Sequence, residues 1–336
     1  MRIFIATDAW TPQVNGVVQT YQRLNDALLK LGHDVGVMTP NGYHSVAMPT
    51  YSEIRLAFVR AREARRKIDA FEPDHIHVAT EGPIGLAARR VCLRQDIPFT
   101  TSYHTKFPEY ISARLPVPLS LGYSYERWFH NAGSGTMVAT ASLMEELKVQ
   151  RMENLMPWSR GVNTELFRPR SDRLFGKEPV FLYVGRVSVE KNLEAFLRLD
   201  LPGRKVIVGG GPRLKMLKSN FPDTIFTGPL FGEELAKAFA SADVFVFPSL
   251  TDTYGVVLLE ALACGVPVAA FPVTGPRDVI VDCKVGSLKD DLREAALTAL
   301  EIDRNECRSY ALGFSWERCA LQFIDNIGSV TFAEAA

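Results

Sequence analysis

The sequence alternates between short apolar runs and amphipathic segments, and the alternation restarts half-way along the chain. In the first half, apolar runs of strand length occur at 2–7, 34–39, 75–79 and 98–104. In the second half they recur at 180–185, 205–210, 224–228, 244–249 and 267–271. Strands separated by helical segments form mostly parallel sheets with helices on both faces. The chain therefore predicts an α/β fold made of two similar units.

Length and composition agree with two globular domains and exclude several classes of protein. The chain has 336 residues, and its 38 basic side chains equal its 38 acidic ones. This balance by itself favours neither nucleic acid nor a membrane, and we expect no nucleic-acid partner. Five scattered cysteines form no CxxC pair, which argues against a zinc site and favours a reduced compartment. With no signal-peptide pattern and no apolar run of membrane length, we expect a cytoplasmic protein without transmembrane helices.

Two glycine-containing loops follow strands, where ligands bind in open α/β sheets. Asn15 and Gly16 precede a predicted helix, and Gly16 is the only glycine in the sequence of this loop. The dinucleotide fingerprint G-x-G-x-x-G is therefore missing, and bound NAD is disfavoured. Backbone N–H groups there could approach an anion, and a simple turn explains the pair equally well. The triplet ending at Gly211 lacks the lysine of a Walker loop. It fits either close approach to a ligand or a tight turn.

Two cations follow the first strand of the second unit. Arg186 and Lys191 lie in "GRVSVEKN", and we expect a helix to begin near Asn192. Two positive charges beside a helix N-terminus favour binding of a diphosphate. The alternative is a pair of solvated loop charges, which is the commoner role of such residues.

Two carboxylates interrupt the apolar segment 245–271. We expect a helix to begin near Thr253 or Tyr254, which would place Asp252 at or next to the N-cap. Glu260 would then lie about two turns inside an apolar helix, where a carboxylate needs partners. The hydroxyl pair of a ribose would supply two donors. A neighbouring basic residue or backbone N–H groups are the alternative partners.

The order of these motifs resembles the retaining glycosyltransferases of family 4, which have the GT-B fold. The resemblance rests on "NGV", "YHTKFPEY", "SRGVNTELFRP", "GRVSVEKN", "VGGGP", "PSLTDTYGVVLLEALACGVPV" and "GPRDVI", and it covers essentially the whole chain. It is closest to members that glycosylate lipids, such as phosphatidylinositol mannosyltransferases and sulfoquinovosyl or glucuronosyl diacylglycerol synthases.

The resemblance implies two Rossmann-like domains that face a cleft. Residues 1–160 would bind the acceptor, residues 161–312 would bind the nucleotide-sugar, and 313–336 would form a helix that crosses back to the first domain. The implied activity is that of a retaining hexosyltransferase, which moves a sugar from a UDP- or GDP-sugar to a hydroxyl of a membrane lipid such as diacylglycerol or a glycolipid. A soluble or polysaccharide acceptor, a nucleotide-sugar epimerase and a non-catalytic sugar-nucleotide-binding protein are the alternatives.

The same resemblance implies roles for individual residues. Four match catalytic positions, namely His104 at the donor sugar, Arg186 and Lys191 at the diphosphate, and Asp252 at the transferred sugar. Asp252 stands where the family has glutamate, one methylene longer. The implied donor-binding residues are Asn15, Gly16, Gly211, Tyr254, Gly255, Val256 and Glu260, the last at the ribose. No acidic pair of the D-x-D type is present, so we expect no metal and no other cofactor.

Two stretches of the first half could contact an anionic membrane surface. Residues 53–71 predict a basic amphipathic helix, and 110–130 carry aromatic residues that we expect to be exposed. Ordinary solvated helix faces are the commoner outcome. Because the resemblance points to lipid acceptors, we expect peripheral binding to the inner face of the plasma membrane.

Overall fold

The computed structural model describes the chain except for residues 14, 49–50, 113–114, 172 and 334–336. The chain forms two compact units. The N-terminal unit comprises Met1–Arg160 together with Trp316–Ala336, and the C-terminal unit comprises Gly161–Ser315. Each unit is an α/β domain around its own sheet.

The N-terminal unit has a six-stranded parallel sheet with the strand order β2-β1-β5-β6-β7-β8. Its strands are β1 (Arg2–Ala6), β2 (Asp34–Met38), β3 (Ser45–Met48), β4 (Tyr51–Ala57), β5 (His75–Val78), β6 (Phe99–Tyr103), β7 (Gly135–Val138) and β8 (Leu155–Pro157). Its helices are α1 (Gly16–Lys30), α2 (Ala61–Phe71), α3 (Pro83–Arg94), α4 (Phe107–Ser112), α5 (Leu119–His130), α6 (Ala141–Val149) and the last helix of the chain, α14 (Trp316–Ala333).

The first and last helices of the chain pack against the same side of this sheet. Tyr21 and Leu24 of α1 are fully buried, as the helical spacing predicts. Phe323 of α14 is also fully buried, and its ring lies 5.4 Å from that of Trp158. This apolar contact holds the C-terminal helix on the N-terminal unit.

The predicted basic helix over 53–71 is wrong in its first half. Residues Tyr51–Ala57 form β4, which pairs antiparallel with β3, and α2 begins only at Ala61. Glu53 and Arg55 alternate with Ile54 and Leu56, and this alternation fits a strand with one solvated face better than a helix. In α2 itself, Ala64 and Ile68 are buried in the core, so the helix exposes a basic face and no apolar one.

The C-terminal unit repeats this plan with the parallel strand order β11-β10-β9-β12-β13-β14. Its strands are β9 (Val180–Val184), β10 (Arg204–Val208), β11 (Ile225–Gly228), β12 (Val244–Phe247), β13 (Val268–Ala270) and β14 (Gly286–Leu288). Its helices are α7 (Leu193–Leu197), α8 (Leu214–Asn220), α9 (Gly232–Ala240), α10 (Val256–Ala263), α11 (Pro276–Val279), α12 (Leu292–Ala299) and α13 (Arg304–Ala311), with a 3-10 turn at Val189–Lys191.

The strand order changes direction once in each sheet. In the N-terminal unit this occurs between β1 and β5, and in the C-terminal unit between β9 and β12. Loops diverge to opposite faces at such switch points and leave a crevice beyond the carboxyl ends of the two strands. The two crevices are therefore where binding residues are expected.

Candidate active site

Two loops of the C-terminal unit meet at its switch point. The loop after β9 contains Lys191, and the loop after β12 contains Asp252. The side-chain amide of Asn192 donates to the carbonyl of Pro248 over 3.2 Å and ties the two loops together. The crevice between β9 and β12 is thus lined by the segments that the sequence singled out.

Lys191 and Asp252 form an ion pair across this crevice. The Lys191 Nζ lies 2.6 Å from Asp252 Oδ1, and both side chains are less than one-fifth exposed. The second oxygen, Asp252 Oδ2, is buried and has no hydrogen-bond partner among the residues that the structure describes. One carboxylate oxygen is therefore neutralised, while the other can accept a hydrogen bond from a ligand hydroxyl.

The predicted capping role of Asp252 is wrong. Helix α10 begins at Val256, and its N-cap residue is Gly255 rather than Asp252. Gly255 has φ +84°, a left-handed conformation that glycine adopts without strain. Because this residue bends the chain, Asp252 lies ahead of the helix and its side chain is directed to Lys191.

Glu260 lies inside α10, as predicted. The residues around it, Leu258–Ala263, are all buried, and Glu260 itself is 7% exposed. It is the one charged residue in the sequence of this helix. Its contact with a ribose stays a prediction.

Arg186 lies at the carboxyl end of β9. Its guanidinium is 3.8 Å from the carboxylate of Glu190, and its backbone carbonyl accepts a hydrogen bond of 2.9 Å from the Tyr183 hydroxyl. Arg186 is about one-fifth exposed, whereas Glu190 is nearly buried. A partly solvated guanidinium held at this loop can turn to an incoming anion.

The glycines after β10 are explained by the packing of two backbone segments. A Cβ atom on Gly209 would lie 1.9 Å from the carbonyl oxygen of Gly185, and one on Gly211 would lie 2.4 Å from that of Val187. Val187 also donates its N–H to the carbonyl of Gly210 over 2.8 Å. These contacts support the tight-turn interpretation. Binding of the donor by Gly211 stays a prediction.

A third loop lies beside the start of α10. Gly275 has φ +92°, and a Cβ there would be 3.1 Å from the carbonyl oxygen of Asp252 and 3.2 Å from that of Tyr254. The "GPRDVI" segment is therefore packed against the backbone ahead of α10. The donor contacts predicted for Tyr254, Gly255 and Val256 remain predictions.

In the N-terminal unit, the loop after β1 has a structural role. The Asn15 side chain accepts hydrogen bonds of 3.0 Å from the backbone N–H groups of Val17 and Val18, so it caps α1. Gly16 is exposed, and apart from its chain neighbours and its own helix no described residue has an atom within 4 Å of where its Cβ would be. Helix capping accounts for Asn15, while contact of Gly16 with a diphosphate stays a prediction.

Asp8 occupies the switch point of the N-terminal unit, and the sequence analysis missed it. Its carboxylate accepts hydrogen bonds from Ile84 N and Gly85 N in the first turn of α3 and from the hydroxyl of Thr80. Burial raises the pKa of Asp8 to about 6. A Cβ on Gly82 would lie 2.5 Å from the carboxyl carbon of Asp8. A polar residue directly after β1 was the only sequence signal for this contact.

His104 lies just beyond the carboxyl end of β6. Its Nε2 is 2.9 Å from the hydroxyl of Tyr21, and its Nδ1 is 3.3 Å from the guanidinium of Arg160. Burial, and then the charge of Arg160, hold the pKa of His104 well below its ordinary value. The imidazole is therefore neutral at physiological pH, and its role at the donor sugar stays a prediction.

A buried group of three ionisable residues was also missed. The Nε2 atom of His130 lies 3.2 Å from a carboxylate oxygen of Glu81 and from one of Glu126. Burial alone would lower the pKa of His130, but the hydrogen bonds to both carboxylates raise it to about 9. Residues of these types can ligate a divalent cation. Here Nε2 of His130 lies within hydrogen-bond distance of both carboxylates, and burial raises the pKa of Glu126 to about 7, so the three side chains form one internal hydrogen-bonded group.

Comparison with known proteins decides the family. Residues 14–166 match the model of Glycosyltransferase Family 4, and residues 178–302 match that of Glycosyl transferases group 1. A GDP-mannose-dependent alpha-mannosyltransferase of Mycobacterium tuberculosis is 30% identical over 86% of this chain and 83% of its own length. The chain belongs to glycosyltransferase family 4.

Two further relatives of this glycosyltransferase are named for activities other than mannosyl transfer. Sulfoquinovosyl transferase SQD2 of Arabidopsis thaliana is 31% identical over 81% of this chain and 60% of its own length. An alpha-monoglucosyldiacylglycerol synthase of Streptococcus pneumoniae is 28% identical over 89% of this chain and 78% of its own length. The resemblance to lipid-glycosylating members of family 4 is thereby confirmed.

Solved structures confirm the GT-B fold of the glycosyltransferase. The sucrose-phosphate synthase of Thermosynechococcus elongatus superposes with a TM-score of 0.80 at 21% identity, covering 99% of each chain. Anabaena HepE in complex with UDP and glucose gives a TM-score of 0.74 at 15% identity, covering 98% of this chain and all of the other.

The enzyme is therefore a glycosyltransferase that takes its sugar from a nucleotide-sugar. Of its predicted site residues, the structure brings Lys191 and Asp252 into contact and places Arg186 in the same loop as Lys191. In the part of the chain that the structure describes, no helix has the length and apolar character needed to span a membrane.

Proposed function

We propose that the protein is a retaining hexosyltransferase that moves a sugar from a UDP- or GDP-sugar to a hydroxyl of a membrane lipid, such as diacylglycerol or a glycolipid. The ion pair of Lys191 with Asp252 at the switch point of the C-terminal unit carries this proposal. In this pair, a cation stands beside a carboxylate that can accept a hydrogen bond from a sugar hydroxyl. Both lie at the sheet edge where ligands of such sheets bind.

The cations would hold the donor diphosphate. As the bond between the sugar and the phosphate breaks, negative charge grows on the departing phosphate oxygen. Lys191 would exchange its contact with Asp252 for a phosphate oxygen, and Arg186 would join it from the same loop. Positioned cations of this kind stabilise the transition state more than the ground state. Together they would supply the charge that a metal supplies in other transferases, so we propose that no metal is required.

The carboxylates would hold the two ends of the donor. Asp252 Oδ2 is buried and accepts no hydrogen bond from any described residue, so it is suited to accept one from a hydroxyl of the transferred sugar. Glu260 would accept from the ribose hydroxyls, which would compensate the cost of a carboxylate inside an apolar helix. The N–H groups of Tyr254, Gly255 and Val256 would add donors for the phosphate or the sugar.

Retention of the anomeric configuration would follow from attack on the face that the phosphate leaves. The bond from C1 to the phosphate oxygen breaks, and a bond from C1 to the acceptor oxygen forms on the same face. The departing phosphate takes the proton of the acceptor hydroxyl, so charge and protons balance without a covalent enzyme intermediate. No side chain that we assign to the site has to act as a nucleophile.

Ligand-induced stabilisation tests the donor site directly. The purified protein is heated with UDP, GDP or NAD, each at the same high concentration. A ligand present at 100 times its dissociation constant adds about 2.7 kcal/mol to the free energy of unfolding. A rise in melting temperature with one of the two nucleoside diphosphates supports the proposal and identifies the base. A rise with NAD alone, or with none of the three, contradicts it.

The lipid acceptor is supported by the relatives and by one exposed helix face. The name of the Streptococcus pneumoniae relative states a diacylglycerol product. On α5, Leu121, Tyr125 and Trp128 are exposed by 63%, 39% and 54% and follow one another at intervals of four and three residues. This stripe forms one apolar face of the helix. We propose that the enzyme is cytoplasmic and that this face, with the basic face of α2, binds the inner surface of the plasma membrane.

Sedimentation with vesicles tests the membrane contact. At low salt, vesicles that contain an anionic lipid should pull down the wild-type protein. Leu121→Gln should weaken this binding several-fold, because it removes apolar area from the stripe. Val149→Gln is the matched control, since Val149 is an apolar residue exposed by 79% and lies at the end of α6. Absence of wild-type sedimentation, or equal loss in both variants, contradicts the proposal.

A further inference from the structure

A continuous row of hydrogen bonds links Arg160 to three histidines of the N-terminal unit. Its members all lie on or beside β5, β6 and α1, apart from Arg160 itself. The successive distances are 3.3 Å for Arg160–His104, 2.9 Å for His104–Tyr21, 2.9 Å for Tyr21–His77, 2.8 Å for His77–Thr100 and 2.8 Å for Thr100–His75. Each histidine in such a row can carry its proton on either ring nitrogen, so the row has a direction that must be set somewhere.

Arg160 sets that direction, because a guanidinium can donate hydrogen bonds but cannot accept them. The side chain is 4% exposed, stacks on the ring of Trp158 at 4.2 Å and donates to the carbonyls of Trp158 and Ser159. It is therefore held in place and points one N–H group at Nδ1 of His104. That nitrogen must present its lone pair.

We infer that Arg160 and Tyr21 fix His104 as a neutral imidazole with its only proton on Nε2. Nδ1 accepts from Arg160, and Nε2–H donates to the Tyr21 hydroxyl oxygen. Two further observations agree. Burial and the charge of Arg160 keep the pKa of His104 well below its ordinary value, and burial raises the pKa of Tyr21, so both groups are neutral.

The same direction passes on to the next histidine. Because the Tyr21 oxygen accepts from His104, its own O–H donates to Nε2 of His77. The Ser102 hydroxyl, which is also able to donate, lies 3.0 Å from the same nitrogen. His77 therefore carries its proton on Nδ1 and donates to Thr100. The two neighbouring imidazoles are fixed as opposite tautomers.

This arrangement limits what His104 can do in the reaction. If His104 serves the donor sugar, as the proposed function has it, neither ring nitrogen is free to take or give a proton during transfer. Its contribution would be to present a fixed imidazole ring to the donor sugar. Arg160 and Tyr21 are then positioning residues, which act on the reaction through His104.

Nitrogen-15 NMR of the full-length protein, labelled at its histidines and free of substrate, tests the tautomers. Variants His104→Gln and His77→Gln assign the two signals among the six histidines. At neutral pH we expect Nε2 to be the protonated nitrogen of His104 and Nδ1 that of His77. Protonation of His104 on Nδ1, or on both nitrogens, would overturn the inference. The result does not depend on any donor or acceptor being known.

Two substitutions of Arg160 sharpen the test. Arg160→Met removes the donor at similar length, so His104 should show a mixture of both tautomers. Arg160→Lys keeps a donor and should restore the wild-type signal. An unchanged His104 signal in Arg160→Met would overturn the role of Arg160. If that variant does not fold, the wild-type spectrum still decides the tautomer.

An activity measurement tests the positioning role separately. Tyr21→Phe removes the acceptor of the His104 proton and should lower kcat by about ten- to a hundred-fold, with little change in the KM for the donor. Wild-type kcat in this variant would overturn the positioning role. A wild-type protein that transfers no sugar would instead refute the proposed function, while the tautomers measured by NMR would stand.

Discussion

The switch points of the two units have the same strand plan, but the aspartate at each has different partners. In the N-terminal unit, the carboxylate of Asp8 accepts hydrogen bonds from Ile84 N and Gly85 N at the start of α3. In the C-terminal unit, Lys191 holds one oxygen of Asp252, and in the described part of the chain the other oxygen has no hydrogen-bond partner. In the N-terminal crevice, the N–H groups at the start of a helix are therefore bound by a buried carboxylate. In the C-terminal crevice, a cation binds one of the two oxygens of a carboxylate.

This difference shows that the fold alone does not make an anion site. The N-terminus of a helix attracts phosphate because its first N–H groups are unpaired and the helix dipole favours negative charge. In the N-terminal unit a carboxylate of the protein already fills that role. A phosphate there would have to displace Asp8. A Cβ at Gly82 would collide with the carboxyl group, so the sequence around α3 is adapted to this internal ligand.

The largest effect should come from removing the cation of the C-terminal crevice. Lys191→Ala should lower kcat by about a thousand-fold, because one group that stabilises the departing phosphate is lost. The variant should still fold, but its melting temperature should fall because Asp252 loses its ion-pair partner. Steady-state transfer with the donor identified by thermal shift measures the rate.

Lys215→Ala is the matched control for this substitution. Lys215 is an exposed lysine on α8 of the same unit, and its removal should leave the rate unchanged. Turnover of the Lys191 variant at the wild-type rate would show that the charge on the diphosphate is stabilised elsewhere. The contrast between the two crevices would then lose its functional meaning.

The strands were predictable from the sequence because both sheets are buried and parallel. Runs such as "VFLYV" in β9 and "VFVF" in β12 are fully buried. Their uninterrupted apolar sequences are typical of strands in buried parallel sheets. The hairpin of β3 and β4 was missed because its polar, alternating residues resemble a charged helix when read without partners. Its register depends on pairing between two separate segments of the chain, which the sequence alone does not display.

The candidate site was only partly predictable. The loops that contain Lys191 and Asp252 were found because they follow strongly apolar strands. The capping role of Asp252 failed because a single left-handed residue, Gly255, moved the start of α10. Asp8 and His104 depend on partners 72 and 56 or more residues away, namely Thr80, Arg160 and Tyr21. Contacts at such separations follow from the folded sheet and leave no local pattern.

A smaller effect should come from neutralising the internal ligand of the N-terminal crevice. The pKa of Asp8 is about 6 in the folded protein against an ordinary value of 3.8. The folded state thus binds this proton more tightly than the unfolded state does. The resulting stabilisation is fully present below the ordinary pKa and is lost as the pH rises through about 6. Asp8→Asn cannot titrate and should not show this loss.

The free energy of unfolding of Asp8→Asn, relative to wild type, should therefore rise by roughly 2 to 3 kcal/mol between pH 4 and pH 7. Urea denaturation at several pH values measures it. Asp34→Asn is the control, since Asp34 is exposed on β2 of the same sheet and its curve should run parallel to that of wild type. If the curve of Asp8→Asn also ran parallel to that of wild type, the N–H groups of α3 would stabilise the ionised carboxylate of Asp8 as fully as water does in the unfolded state. The N-terminal crevice would then favour an anion without the penalty of burial, and Asp8 would be all that distinguishes it from a phosphate site.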